Sequence, residues 1–225
     1  MDPKCAACGA PLLRTHRFCP NCGLPVVSVG LGGPALQVSP DVDLQEDRRL
    51  VTVVFADLSG STPLGERLDP EDLRRILGAF FAALVRPIHR YEGTVEKYIG
   101  DAVMAVFGAP ISHEDDAERA VRAAVEMQSA LALLNDWLER EHGRRLALRI
   151  GISSGEVVSG LLAGEVQSAY TVVGDTVNTA QRLESIATPG DVVVGPATFR
   201  LAGRAFEFEP LGSLALKGKA QTVEA

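Results

Sequence analysis

Two hydrophobic patterns alternate along most of the chain. Short runs rich in β-branched and aromatic residues predict strands, and longer segments with apolar residues every three or four positions predict helices that bury one face. The predicted strands cover residues 48–57, 95–99, 103–107, 146–152, 156–162, 169–173, 191–194 and 206–216. The predicted helices cover residues 69–89, 112–138 and 174–187. This order predicts an α+β sandwich with a ferredoxin-like core and helices packed largely on one face of the sheet.

Local signals mark where two of the helices begin. Asp69-Pro70 combines a common N-cap residue with a proline suited to the first helical position. Ser112 and Asp115 have the spacing of a capping box. We therefore expect one helix to begin at Pro70 and another to begin beside Ser112.

Glycines recur in the predicted strands between residues 146 and 164, at Gly151, Gly155, Gly160 and Gly164. Glycine inside a strand indicates a bulge or a close approach by another backbone. Our interpretation is that the approaching backbone belongs to a second subunit.

All four cysteines lie within the first 22 residues, at Cys5, Cys8, Cys19 and Cys22. Two Cys-x-x-Cys pairs can present four thiolates tetrahedrally to Zn²⁺, and the segment resembles a zinc ribbon. Two disulfides are the alternative, but they require an oxidising compartment. A module this small lacks a sufficient core, so the metal would supply its folding free energy. We predict a ribbon at residues 1–27, a Gly- and Pro-rich linker at 28–47 and a large domain at 48–225.

The charge and hydropathy of the chain limit the classes of partner that we expect for it. It has 22 Lys and Arg against 29 Asp and Glu, a net charge of −7, which disfavours nonspecific nucleic-acid binding. No apolar run approaches the ~20 residues that span a bilayer. The N-terminus lacks the apolar segment of a signal peptide. We expect a cytoplasmic protein with no membrane or nucleic-acid partner, and the sequence indicates no partner for the ribbon.

Two aspartates follow apolar strands. Asp57 ends the first predicted strand and precedes the small polar segment 58–62, while Asp101 lies in the Gly100-Asp101 turn of a predicted hairpin. Either aspartate alone is commonly a structural loop residue. Two carboxylates beside a loop of free backbone N–H groups suit a divalent metal and a phosphate.

Three motifs together resemble the class III nucleotidyl cyclase catalytic domain. They are Phe55-Ala56-Asp57-Leu58-Ser59-Gly60-Ser61-Thr62, Lys97-Tyr98-Ile99-Gly100-Asp101 and Val173-Gly174-Asp175-Thr176-Val177-Asn178-Thr179-Ala180-Gln181-Arg182. They occur in the family's order, and the resemblance covers residues 47–225. It implies the cyclase homology fold for residues 48–225 and adenylyl cyclase activity, with ATP converted to 3′,5′-cyclic AMP and pyrophosphate in a signalling role.

The resemblance also implies a role for each motif residue. Asp57 and Asp101 would hold two Mg²⁺ or Mn²⁺ ions, and the backbone of Leu58, Ser59, Gly60, Ser61 and Thr62 would cradle the β- and γ-phosphates. Arg182 would contact the α-phosphate, Asn178 would orient the ribose and Lys217 would bind the terminal phosphates. Lys97 would donate to adenine N1. Thr171 stands where the best-known adenylyl pattern has Asp, and its hydroxyl can accept from the adenine amino group.

In the family, the two motif sets meet across a head-to-tail dimer, which implies a homodimer with two equivalent sites. Taken alone, Asn178 and Arg182 would be an ordinary surface pair, four residues apart on a helix. Two alternatives to the enzyme remain. One is a catalytically silent module that binds nucleotide or mediates dimerisation, and the other is a zinc-ribbon nucleic-acid binder carrying a regulatory cyclase fold.

Overall fold

The structure, a computed structural model, describes residues 47–59, 69–161, 170–214 and 222–225. The chain divides into two units, Met1–Asp43 and Leu44–Ala225, and every described residue belongs to the second. The predicted zinc ribbon lies outside the described residues, as does the predicted linker up to residue 46. Within the described part, no helix is both long and apolar enough to cross a bilayer.

Four helices and eight strands form in the described ranges. The helices are α1 (Pro70–Arg90), α2 (Asp116–His142), α3 (Asp175–Ile186) and α4 (Pro196–Ala202). The strands are β1 (Asp47–Ser59), β2 (Thr94–Ile99), β3 (Ala102–Phe107), β4 (Ala147–Leu161), β5 (Tyr170–Val173), β6 (Val192–Val194), β7 (Ser213–Leu214) and β8 (Val223–Glu224). The three predicted helices and the hairpin of β2 and β3 are confirmed.

Some predicted boundaries are wrong. The two strands predicted between residues 146 and 162 form one strand, β4, because the intervening residues stay paired with β1. Within 206–216, only Ser213–Leu214 is a strand. Helix α2 begins at Asp116 and lacks the predicted capping box, since its N-cap Asp115 makes no side-chain cap bond. Instead, the Asp116 carboxylate accepts a hydrogen bond from the His113 backbone N–H at 2.8 Å.

Strand β1 lies at the centre of the main sheet, whose order is β2-β3-β1-β4-β5, with β6 parallel to β4. Alternate residues of β1 face opposite sides of the sheet. Val54 and Ala56 pack in one core with α1, α2 and Ala202 of α4. Phe55 packs in a second core with Ala180 of α3. Three of the four described helices thus share one face, as predicted, and α3 alone covers the other.

Helix α3 approaches β4 closely at two glycines. A Cβ on Gly151 would lie 2.1 Å from the backbone N of Glu184 and 2.2 Å from the backbone O of Ala180. A Cβ on Gly155 would lie 2.6 Å from Oγ1 of Thr176. The sequence predicted a close approach at these positions, but the approaching element is a helix of the same chain rather than a second subunit.

We expect the substitution Gly151→Ala to lower the free energy of unfolding by about 3 kcal/mol, because the added methyl meets two backbone atoms that cannot move aside. Gly78→Ala is the matched control. Gly78 is exposed inside α1 and has nothing within 4 Å of a Cβ, so alanine should stabilise the protein by about 0.5–1 kcal/mol. Urea unfolding of both variants tests this, and a Gly151→Ala variant as stable as the parent would contradict the packing argument.

Candidate active site

Asp57 lies near the end of β1, on the face of the sheet that α3 covers. It is two residues beyond Phe55, whose side chain packs on that face. In the register of the sheet, it stands opposite Ala102 of β3 and Arg149 of β4. The Asp57 side chain keeps 21% exposure, so a ligand in solution can reach the carboxylate.

Arg149 links Asp57 to a second carboxylate, that of Glu184 on α3. Its Nη2 donates a hydrogen bond to Oδ2 of Asp57 and lies 3.0 Å from Oε1 of Glu184, an ion-pair contact without hydrogen-bond geometry. The Glu184 side chain is only 8% exposed. Within the described ranges, buried Nε of Arg149 and Oε1 of Glu184 have no hydrogen-bond partner. Two carboxylates therefore share one guanidinium nitrogen.

The pKa values in this cluster follow from burial and from neighbouring charges. The hydrogen bond to Asp57 raises the pKa of Arg149, against the effect of burial, and the charges of Glu184 and Asp101 raise it further. Burial raises the pKa of Glu184, Arg149 lowers it, and the charge of Asp57 raises it again. Arg149 thus stays cationic at neutral pH beside three carboxyl groups, an arrangement that favours an additional cation.

Asp101 lies next to Asp57 across the sheet. It occupies the turn between β2 and β3, directly after Gly100, whose φ of +63° favours glycine. The following residue, Ala102, is the register partner of Asp57. The charge of Asp101 also reaches Arg149, where it helps to raise the guanidinium pKa. The predicted pair of carboxylates at neighbouring strand ends is therefore present in the fold.

The donor set fits a divalent cation that is shared with a phosphate ligand. Carboxylate oxygens suit Mg²⁺, which proteins commonly hold through one or two carboxylates plus substrate phosphates. No group of three or more His, Cys, Asp and Glu that could hold a metal occurs in the described ranges, so Asp57 and Asp101 would rely on such added oxygens. Ser59, two residues beyond Asp57, has a buried hydroxyl without a hydrogen-bond partner among the described residues, which a ligand oxygen could satisfy.

A β-bulge positions Lys97 on the same face of the sheet as Asp57. The pairing of β2 with β3 shifts register between Val95 and Lys97, so Lys97 stands opposite Met104, a member of the core under α3. Its side chain is 46% exposed, and its Nζ lies 3.2 Å from Oε1 of Glu96. The ammonium group is thus available to a ligand beside the hairpin.

Asn178 and Arg182 lie on a different side of α3 from Ala180 and Glu184, which face the sheet. Each residue of a helix turns by about 100°, so a separation of two residues turns a side chain by about 200°. Accordingly, Asn178 is exposed and Arg182 is half-buried, whereas Ala180 and Glu184 are buried. Helix α3 therefore directs Glu184 to Asp57 of its own chain and directs Arg182 away from it.

The other predicted site residues either lie in strands or fall outside the described residues. Leu58 and Ser59, the first two residues of the predicted phosphate cradle, extend β1 and pair with Leu148 and Ala147. Thr171 lies in β5, opposite Gly160. Gly60, Ser61, Thr62 and Lys217 lie outside the described residues, as do Cys5, Cys8, Cys19 and Cys22.

Arg149 and Glu184 were missed by the sequence analysis. The sequence does carry a signal for Arg149. This charged residue alternates with the buried residues Leu148 and Ile150, on a strand that is packed on both faces. Glu184 carries a weaker signal, since its four-residue spacing from Ala180 is common on any helix.

The comparisons with known proteins agree with this geometry. Residues 44–224 match the family described as the adenylate and guanylate cyclase catalytic domain. An adenylate cyclase from Anabaena cylindrica is 33% identical over 76% of this chain, but the match spans only 33% of that relative. The crystal structure of the adenylyl cyclase CyaB from P. aeruginosa superposes with a TM-score of 0.77 at 30% identity, covering 80% of this chain and 94% of that one. The guanylyl cyclase Cya2 superposes with a TM-score of 0.74 at 35% identity, covering 80% and 91%.

Proposed function

Because the chain belongs to the family of adenylate and guanylate cyclase catalytic domains, we propose that it is an adenylyl cyclase, which converts ATP to 3′,5′-cyclic AMP and pyrophosphate. The observation that carries the proposal is the pair of carboxylates, Asp57 and Asp101, at neighbouring strand ends beside a charged Arg149. In the reaction, the ribose 3′-hydroxyl gives up its proton to solvent, its oxygen bonds to the α-phosphorus, and the bond from that phosphorus to the pyrophosphate oxygen breaks.

Asp57 and Asp101 would bind two Mg²⁺ or Mn²⁺ ions, which when bound would neutralise charge on the attacking and leaving oxygens. The chain's own groups would bind the phosphates and orient the ribose. The guanidinium of Arg182 would meet the α-phosphate oxygens, where charge grows in the transition state. Asn178 would orient the ribose. The backbone from Leu58 to Thr62 and the ammonium of Lys217 would hold the terminal phosphates.

The orientation of α3 supports a site shared between two chains. Glu184 contacts Arg149 beside Asp57 of the same chain, while Asn178 and Arg182 face away from it. A symmetric head-to-tail homodimer would bring the two sets of residues together, since Arg182 of each chain would lie at the carboxylates of the other chain. We propose that a monomer has no complete site and that the dimer has two.

The choice of base is a separate part of the proposal, because the structures similar to this chain include both an adenylyl and a guanylyl cyclase. Lys97 favours ATP, since an ammonium donates to the unprotonated N1 of adenine, whereas N1 of guanine carries a proton. The hydroxyl of Thr171 can accept from the adenine amino group.

The proposed N-terminal ribbon is independent of this chemistry. Cys5, Cys8, Cys19 and Cys22 would hold a structural Zn²⁺ through four thiolates, as their spacing suggests.

The proposal is tested by incubating the purified protein with ATP or GTP and Mn²⁺ or Mg²⁺, with cyclic nucleotide and pyrophosphate measured. We expect cyclic AMP and pyrophosphate in equal amounts and a preference for ATP. Lys97→Glu should cut the kcat/KM for ATP at least tenfold, roughly the loss expected when a base-reading contact becomes mismatched. Nucleotide binding without any product would instead favour the silent module, and an unchanged ATP preference in Lys97→Glu would remove Lys97 from base recognition.

A further inference from the structure

Glu184 has no part in the proposed reaction, yet its carboxylate lies in a buried position that is energetically unfavourable for a charge. Its side chain is 8% exposed, and burying a carboxylate requires compensation from a partner. The partner is Arg149, whose Nη2 lies 3.0 Å from Oε1 of Glu184. The same nitrogen donates to Asp57, so Glu184 and Asp57 compete for it.

The position of Glu184 is set by backbone packing. Its own backbone N would lie 2.1 Å from a Cβ at position 151, so α3 contacts β4 as closely as glycine allows. The backbone at Glu184 therefore cannot shift toward the sheet without a clash or away from it without losing this contact. Arg149, by contrast, is a long side chain whose guanidinium can turn between its two partners.

A divalent cation would change the balance between those partners. A cation bound to Asp57 would draw negative charge from the carboxylate and repel the nearby guanidinium, so cation binding would weaken the Asp57–Arg149 hydrogen bond. Without a second acceptor, that loss would leave a partly buried guanidinium with less compensation, and the cost would oppose cation binding. Glu184 lies where it can accept the displaced contact.

We propose that Glu184 is a positioning residue that receives Arg149 from Asp57 and thereby frees Asp57 to bind the divalent cation. The inference rests on the proposed function in one respect, that Asp57 is a cation ligand. It adds that a third carboxylate, that of Glu184, raises the affinity for the cation through its effect on Arg149, without binding the cation itself.

Binding of Mn²⁺ without nucleotide, followed by water proton relaxation, tests the inference without relying on turnover. Glu184→Gln keeps the shape of the side chain and removes its charge, so Arg149 should stay on Asp57. We expect Mn²⁺ affinity to fall about tenfold, the lower end of what removal of a residue supporting a metal ligand costs. The concentration of Mn²⁺ giving half-maximal activity should rise in parallel. Unchanged Mn²⁺ affinity in a folded Glu184→Gln variant would overturn the proposal.

A double-mutant cycle separates transfer of Arg149 from a simple charge effect. If Glu184 acts through Arg149, Glu184→Gln should matter little once Arg149→Gln is present, and the two changes should be strongly non-additive. Equal losses in both backgrounds would mean that Glu184 acts only as a distant negative charge, which contradicts the proposal.

Glu184→Asp is the second probe, because it keeps the charge but withdraws it from Arg149. It should weaken Mn²⁺ binding as Glu184→Gln does, and parent-like binding would also overturn the inference.

Asp57→Asn distinguishes failure of the inference from failure of the proposed function. If Asp57→Asn abolishes Mn²⁺ binding and Glu184→Gln leaves it unchanged, only the role of Glu184 is wrong. If Asp57→Asn binds Mn²⁺ like the parent protein, Asp57 is not a cation ligand, and the proposed function fails together with the inference.

Discussion

Replacement of Asp57 or Asp101 by asparagine should lower cyclic AMP formation by about a thousandfold, which corresponds to about 4 kcal/mol of lost transition-state stabilisation. Asparagine keeps the size of the side chain and removes its charge. Asp57 lies near the end of β1 and Asp101 lies in the turn before the neighbouring strand β3, so loss of either charge removes half of the proposed cation-binding pair.

Both variants should fold normally. Asp101 lies in a turn, and the Asp57 side chain is partly exposed, so neither substitution opens a cavity. Arg149 keeps Glu184 as a partner when Asp57 is neutral. Circular dichroism and urea unfolding would establish that the variants are native.

Asp136→Asn is the matched control for the loss of a carboxylate. Its side chain is 65% exposed on α2, and its Oδ1 lies 4.0 Å from Nη2 of Arg145. We expect this variant to keep the activity of the parent protein. A folded Asp101→Asn variant with near-parental turnover would remove Asp101 from the reaction.

The sequence predicted the elements whose signals are local. The apolar repeat gave α1, α2 and α3 to within a few residues, with Pro70 at the start of α1 as predicted. The Gly100-Asp101 turn was recognised because a hairpin needs residues of this kind at its tip. Asp57 and Asp101 could be predicted as neighbours because each follows a short apolar strand.

What the sequence could not predict depends on contacts between distant segments. Arg149 and Asp57 are 92 residues apart and meet only through the register of β1 and β4. Gly151 indicated a close approach, but the pattern of a glycine does not identify the approaching backbone, which proved to be α3. Helix α4 has seven residues, too few for an apolar repeat to be recognised.

In the proposed homodimer, each active site is shared between the two chains. Asp57 lies beside Arg149 and Glu184 of its own chain, whereas Arg182 projects from the side of α3 that faces away from Glu184. Asp57→Ala alone should inactivate both sites of a dimer, and so should Arg182→Ala, since each defect is present in every site. In a mixed dimer, however, both defects fall in one site, and the other site is intact.

Co-incubation of Asp57→Ala and Arg182→Ala proteins, each inactive alone, should therefore restore activity. Equal amounts that exchange subunits freely would form mixed dimers in about half of cases, with one working site of two, so about a quarter of the parental activity should return. The control is a mixture of Asp57→Ala with Asp101→Ala, whose defects lie in the same set of residues and leave no mixed dimer with an intact site.

The most direct measurement is the rate of cyclic AMP formation in the Asp57→Ala and Arg182→Ala mixture after subunit exchange has been verified with differently tagged chains. We predict a rise from background to about a quarter of the parental rate in this mixture, and no rise in the Asp57→Ala and Asp101→Ala control. Activity that stays at background after verified exchange would mean that each site is built within one chain, which would contradict a site shared between two chains.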